Sequence, residues 1–119
     1  MPKREFDLED RLIDFTVRVL NVVECLPENK ITAHLSSQLI RSCTSVALNY
    51  GEAQAPESKK DFIHKAKIVL KELKESAICL RILQKKSLLS DAGALGENRE
   101  LIAIFIASIK TAKLNLNWK

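Results

Sequence analysis

Residues 41–63 read RSCTSVALNYGEAQAPESKKDFI, and they decide the fold. The stretch holds the end of one helix, a short connection at 55–57 and the capped start of another. Ser58 followed by Asp61 has the spacing of a capping box, with Asp in the place of Glu. Upstream of the connection, Gln38, Arg41, Ser45, Asn49 and Glu52 recur at three, four, four and three, so one polar stripe runs along a helix whose other faces are largely apolar. A polar stripe taken out of water is costly unless it is paired. The stripe therefore marks a structural seam or a site.

Working outward, three more helical patterns appear. The first helix is expected over 6–26, with Leu8, Leu12, Phe15, Val19, Val22 and Leu26 as its core seam and Ile13, Leu20 and Val23 as a second apolar edge. Pro27 ends it. The second helix is expected from an N-cap at Thr32 to about Gln54. Leu35, Leu39, Cys43, Val46 and Tyr50 face the core, with Ile40, Ala47 and Gly51 beside them, small enough toward the end for close helix contact. The third runs from Ser58 to about Lys86, burying Phe62, Ala66, Val69, Leu73, Ser76, Leu80 and Leu83. Residues 87–97, with two glycines, form the third connection, and the fourth helix covers 98–115. Its centre, LIAIFIAS, is apolar on nearly every face, more than three neighbouring helices can cover. Either the last residues, 116–119, fold back over it, or some of it, or the second edge of the first helix, meets another chain. Short connections between four long helices imply an all-α, antiparallel up-down-up-down four-helix bundle in one domain, 1–119.

Composition narrows the function. With 29% charged and 46% hydrophobic residues the chain falls outside disordered and membrane classes, and no run approaches the ~20 apolar residues of a span. The charged N-terminus, MPKREFDLEDR, lacks the apolar core of a signal peptide, so a cytoplasmic protein is expected. Cys25, Cys43 and Cys79 lie in apolar helical runs without metal-ligand spacing and read as buried thiols. His34 and His64 are the two histidines and sit in no HExxH or His/Cys cluster. Glu72 and Glu75 at i,i+3 lack the Glu-x-x-His partners of a carboxylate metal bundle. No Gly-rich phosphate loop follows a strand. Neither catalysis nor a cofactor is expected.

The net charge of +4 is unevenly spread. Residues 1–26 hold four basic and six acidic residues, whereas 55–90 hold nine basic and four acidic. In the third helix Lys60, His64, Lys67, Lys71, Lys74, Arg81 and Lys85 follow near-heptad spacing, broken only by Ile78, on the side away from the core seam. A solvated face usually mixes signs, and this row holds no acidic residue. As a nucleic-acid surface it would act on phosphates without base specificity, because it lacks an aromatic platform. Ile78 instead suits a contact with another chain. A hairpin about 55–57 makes facing residues sum to about 113. That sets Arg41 near Glu72, Gln38 near Glu75, Asn49 near His64, and Glu52 near Lys60 or Asp61. The stripe is then a register-fixing seam, or an anion site built from Arg41, Asn49 and nearby lysines.

The pattern R-S-x-T-S-V-x-x-N-Y-x-E-A at Arg41–Ala53, S-K-x-D-F-I at Ser58–Ile63, and L-K-E-x-x-E-S at Leu70–Ser76 resembles the bacterial four-helix-bundle proteins of the rRNA intervening-sequence type. Gly51 and Ile78-Cys79-Leu80 depart from the pattern, where relatives carry a larger residue and an aromatic pair ending in Trp. The resemblance implies a left-handed bundle that assembles as a homopentamer. It also implies a role beside RNA or DNA, since a related branch serves as the accessory protein of diversity-generating retroelements and partners a reverse transcriptase. No catalytic residues are established for the family. A structural or protein-interaction scaffold without nucleic-acid binding is the alternative.

Overall fold

The computed structural model describes residues 7–115. The expected start of the first helix at residue 6, the N-terminal segment and the 116–119 tail lie outside the described residues. Four helices follow in order: α1 (Leu8–Glu24), α2 (Lys30–Ala53), α3 (Lys59–Lys85) and α4 (Ala92–Leu114), with no strand among the described residues. The fold is all-α. α2 packs most extensively on α3, then α3 on α4 and α1 on α2, while α1 and α4 touch more lightly.

The helix boundaries follow local chemistry, and two helix starts differ from the sequence expectation. The N-cap of α2 is Asn29, three residues before the expected Thr32. The Asn29 side chain accepts from Thr32 N, and the Thr32 hydroxyl accepts from Asn29 N, which completes a capping box. Thr32 is therefore the reciprocal member of the cap. Ser58 is the N-cap of α3 as expected and accepts from Asp61 N at 3.0 Å. The Asp61 carboxylate reaches Glu57 N, so the box closes one residue early. α4 begins at Ala92, six residues before the expected start. Gly93 and Gly96 cost helix stability, but Ala94 and Leu95 between them are buried and hold the turn in place. Gly93 also lies under the Arg18 guanidinium, which a Cβ there would displace.

The end of α3 uses an unexpected residue. Ser87 N donates to Gln84 O and Leu88 N to Leu83 O at 2.8 Å, the paired bonds of a Schellman motif. The motif needs a left-handed residue, and Ser87 supplies it at φ 60°. Leu88 then packs against the core.

The core is the one the periodicity implied. Leu12, Phe15, Val19 and Val22 of α1 meet Leu39, Cys43 and Val46 of α2, all fully buried. Val69, Leu73, Leu80 and Leu83 of α3 and Leu101 and Phe105 of α4 complete it. Tyr50 meets Phe105 edge-on, with centroids 5.7 Å apart. At its margins Leu8, Leu26, Tyr50, Phe62 and Cys79, expected in the core, are only half-buried, and two further expectations fail. Cys25 is exposed, since α1 ends at Glu24 and leaves it in the turn. Gly51 faces open space and permits no close helix contact. Within one chain α4 is not buried all round: Ala103, Ile106 and Ala107 are exposed, as are Ile13 and Val17 of α1.

Candidate nucleic-acid interface

All seven residues of the expected basic row (Lys60, His64, Lys67, Lys71, Lys74, Arg81 and Lys85) are exposed along the outer side of α3. At 1.5 Å per residue the row extends about 38 Å. Among the described residues none of the seven makes an ion pair. The two other basic residues near the start of α3 are used inside the chain. Lys65 pairs with Glu52 of α2. Lys59 Nζ donates to the carbonyls of Lys113 and Asn115 at 3.1 Å each and so caps the C-terminal end of α4. The division of labour is spatial: residues leaning toward a neighbouring helix find a partner, and those pointing out keep free charge. Ile78 interrupts the row and is 54% exposed. Lys67, Lys71, Lys74 and Glu75 line a shallow depression of about 560 Å³ together with Leu70 and Ile78.

The polar stripe of α2 lands beside this row. Arg41 Nη2 donates to Glu75 at 2.8 Å and Nη1 to Glu72 at 3.4 Å. Gln38 joins through Arg41, whose Nη2 it accepts at 3.2 Å. The Arg41 pairing with α3 is the one expected, but its setting differs. Gln38, Arg41 and Glu52 are exposed, and Ser45 and Asn49 are half-buried. The stripe is a solvent-edged seam, not a buried one.

Two pairings move. Asn49 Nδ2 donates to Ser45 O at 2.9 Å within its own helix, and His64 stays in the outer row. Glu52 takes Lys65 in place of Lys60 or Asp61. Cα–Cβ bonds tilt toward each helix's own N-terminus. Here α2 side chains lean away from the connection and α3 side chains lean toward it, so α2 side chains reach α3 residues later than the Cα register implies, as in Arg41–Glu75 and Glu52–Lys65. The expected anion site of Arg41, Asn49 and lysines is thus not assembled: Arg41 is occupied by two carboxylates and Asn49 by its own helix.

Those two carboxylates differ. The Glu72 side chain is 11% exposed and that of Glu75 40%. Burial first, and then the neighbouring Glu75 charge, raise the Glu72 carboxyl above its ordinary range, and Arg41 offsets this only in part. The Arg41 hydrogen bond holds Glu75 below its ordinary range. Beneath them lies a polar contact the sequence reading missed: Ser42 Oγ and Ser76 Oγ are 2.9 Å apart and fully buried. Ser76 was expected in the core seam, and a hydroxyl opposite it on α2 was the available signal.

Two further features were missed. On the α1–α4 side Arg11 binds Glu97 at 2.6 Å and Glu100 at 2.7 Å, and Arg18 binds Asp91 at 2.9 Å. Their signal was the seven-residue spacing of the two arginines. In the core, Asn98 is fully buried and donates to Leu73 O at 3.0 Å, pinning α4 to α3. The Cys43 thiol, pushed up to about 11 by burial, stays protonated. Among the described residues no group of three or more His, Cys, Asp or Glu is placed to hold a metal ion, and no helix is long and apolar enough to cross a membrane.

Comparison with known proteins agrees with this architecture. A family model described as 23S rRNA-intervening sequence protein matches residues 4–109. Five chains of solved structures match. One is a crystal structure of a protein of unknown function from the S23 ribosomal protein family of Bacteroides thetaiotaomicron VPI-5482. It is 30% identical and superposes with a TM-score of 0.77 over 86% of this chain and 94% of that one. No curated protein matches.

Proposed function

We propose that this chain, which belongs to the 23S rRNA-intervening sequence protein family, is a non-enzymatic accessory protein that binds RNA or DNA through the basic face of α3 and works as a homo-oligomer. One observation carries the reading: seven basic side chains share an exposed face, and none is neutralised by an ion pair within the described residues. Such a row meets phosphates spaced along a strand and supplies affinity without sequence readout. Repetition of the row around an assembly adds weak contacts through multivalency. Five copies is the number the family resemblance implies, and a reverse transcriptase or another RNA-linked protein is the partner class it implies.

The same proposal includes the finer topology. Arg41 pairs with Glu75 and Glu52 with Lys65, while Arg11 pairs with Glu97 and Arg18 with Asp91. In both helix pairs the partner's number falls as the first rises, which supports an antiparallel up-down-up-down order; the left hand rests on the resemblance. A cytoplasmic setting belongs to the reading as well, because the partner is nucleic acid.

The test is an anisotropy titration with single-stranded and duplex nucleic acid at low and moderate salt. Wild type should bind with little sequence preference, and affinity should fall steeply with salt. Replacing Lys67, Lys71 and Lys74 by Glu should weaken binding to every sequence alike and leave the helical signal unchanged. Absence of binding at low salt, or full binding by the triple variant, favours the second reading: a structural or protein-interaction scaffold without nucleic-acid binding.

A further inference from the structure

Two groups of exposed apolar residues, Ile13 with Val17 and Ile31 with Ile78 and Ile82, differ in the charge around them. Arg11 and Arg18 are the basic residues of α1, and both turn to α4, where Glu97, Glu100 and Asp91 hold them. The outward side of α1 is left with Glu9, Asp10, Asp14 and Glu24, all exposed, around Ile13 (45% exposed) and Val17 (49%). The acids crowd one another: Asp10 is raised above its ordinary range chiefly by Asp7, with smaller contributions from Asp14 and Glu9.

Between α2 and α3 the opposite arrangement appears. Two depressions of about 430 and 490 Å³ share His34, Leu35 and Ile82 and so form one trough. Its apolar lining is Ile31, Leu35, Ile78 and Ile82, and three of these, Ile31, Ile78 and Ile82, are exposed. Lys30 lines it, Lys74 lines the adjoining depression that shares Glu75 and Ile78 with it, and Arg81, one turn after Ile78 on α3, is exposed. Its acidic member, Glu75, is held by Arg41.

We propose that the acidic outer face of α1 of one copy docks in the basic α2–α3 trough of the next. Ile13 and Val17 are four residues apart, as are Ile78 and Ile82, so each pair forms an i,i+4 ridge about 6 Å long, the geometry by which ridges of one helix enter grooves of another. The acids flanking Ile13 then meet Lys30 and the Lys74 and Arg81 part of the basic row, and the apolar pairs are covered together, so the part of the row left for nucleic acid in the assembly is Lys60, His64, Lys67 and Lys71. The two faces lie on different helices of one protomer, so each copy keeps a free face at both ends of the contact. Such a head-to-tail contact generates a ring or an open filament, not a two-fold dimer. The inference rests on the reading that the chain assembles with itself and names the surfaces that meet.

Charge exchange tests it. Wild type, Asp10→Lys with Asp14→Lys, Lys30→Glu with Arg81→Glu, and the fourfold combination are compared by sedimentation over a concentration series, with circular dichroism to follow the fold. All four positions are exposed at the surface, so helicity should persist. Each double variant should raise the dissociation concentration about tenfold or more, because like charges then face each other. The fourfold variant restores opposite charges with their signs exchanged and should return most of the assembly. Val17→Asp and Ile78→Asp, which leave the basic and acidic residues in place, should each weaken assembly as well. An assembled wild type with both double variants unaffected, or a fourfold variant no better than either, overturns this interface and leaves self-assembly standing. A wild type that stays a single chain at high concentration overturns the assembly itself.

Discussion

Glu72 and Glu75 are adjacent carboxylates on one helix, bound by one arginine, yet their replacement by Gln should shift stability in opposite directions. Glu72 is nearly buried and its carboxyl is raised chiefly by burial; Glu75 is partly exposed and lowered chiefly by Arg41. An acid whose pKa is raised by folding holds its proton more tightly in the native state, so its ionised form opposes folding at neutral pH. Glu72→Gln keeps an oxygen for Arg41 Nη1 and removes the desolvated charge. The expected gain is on the order of 1 kcal/mol, the scale of one hydrogen-bonding group relieved of a burial penalty. Glu75→Gln removes half of a partly exposed ion pair and should cost about 0.2–1 kcal/mol, less at high salt. For a chain of 119 residues, 1 kcal/mol moves Tm by about 4 °C.

The pH dependence separates the two effects. The Glu72 penalty is complete above its raised native pKa, fades as pH falls toward the ordinary 4.5, and is absent below it, so the gain from Glu72→Gln should disappear on acidification. The Glu75 contribution is present above 4.5 and is lost only as pH falls through its lowered native pKa, so the cost of Glu75→Gln should persist past the point where the Glu72 gain has vanished. Thermal melts of both variants from pH 7 to 3, at one protein concentration, supply the measurement. Equal destabilisation by both substitutions, or a Glu72→Gln effect independent of pH, would refute the assignment of burial as the dominant influence on Glu72.

Three backbone and core predictions follow from the same structure. Ser87 holds a left-handed conformation that glycine adopts without penalty, so Ser87→Gly should raise stability by about 1 kcal/mol in urea titrations. Gly51 lies in the last turn of α2 with open space around it, and Gly51→Ala should gain roughly 0.5–1 kcal/mol. Leu80 is fully buried in the core, and Leu80→Ala should cost about 2–5 kcal/mol by the same titration.

The core was readable because each of its residues reports its environment through its own type and spacing. Val69, Leu73, Ser76, Leu80 and Leu83 follow the helical period, and all are buried. The start of α4 was not readable on those terms. Gly93 and Gly96 carry a loop signal in sequence, and it is overridden by burial of Ala94 and Leu95 in the core and by the Arg18–Asp91 pair with α1. Propensity loses wherever a neighbouring helix contributes more than the local backbone preference.

The polar residues mark the boundary between what one chain's periodicity can and cannot report. Spacing placed the basic row correctly on the outer side of α3, because a face opposite a core seam points to solvent whatever the neighbours do. It could not decide how deeply the α2 stripe lies, because that depends on how far the helix axes separate and which way the side chains lean. Arg41 found its expected partners since a long side chain tolerates an error of one turn. Glu52 did not, because Lys65 leans into its reach while Lys60 points outward. The charge sorting of the outer faces follows the same logic. The charge count of residues 8–24 is already acidic, four acids against two arginines, and pairing of Arg11 and Arg18 with acids on the α4 side leaves the four acids of α1 without a cation on the outer face. Packing within the chain thus determines which charges remain free to act outside it.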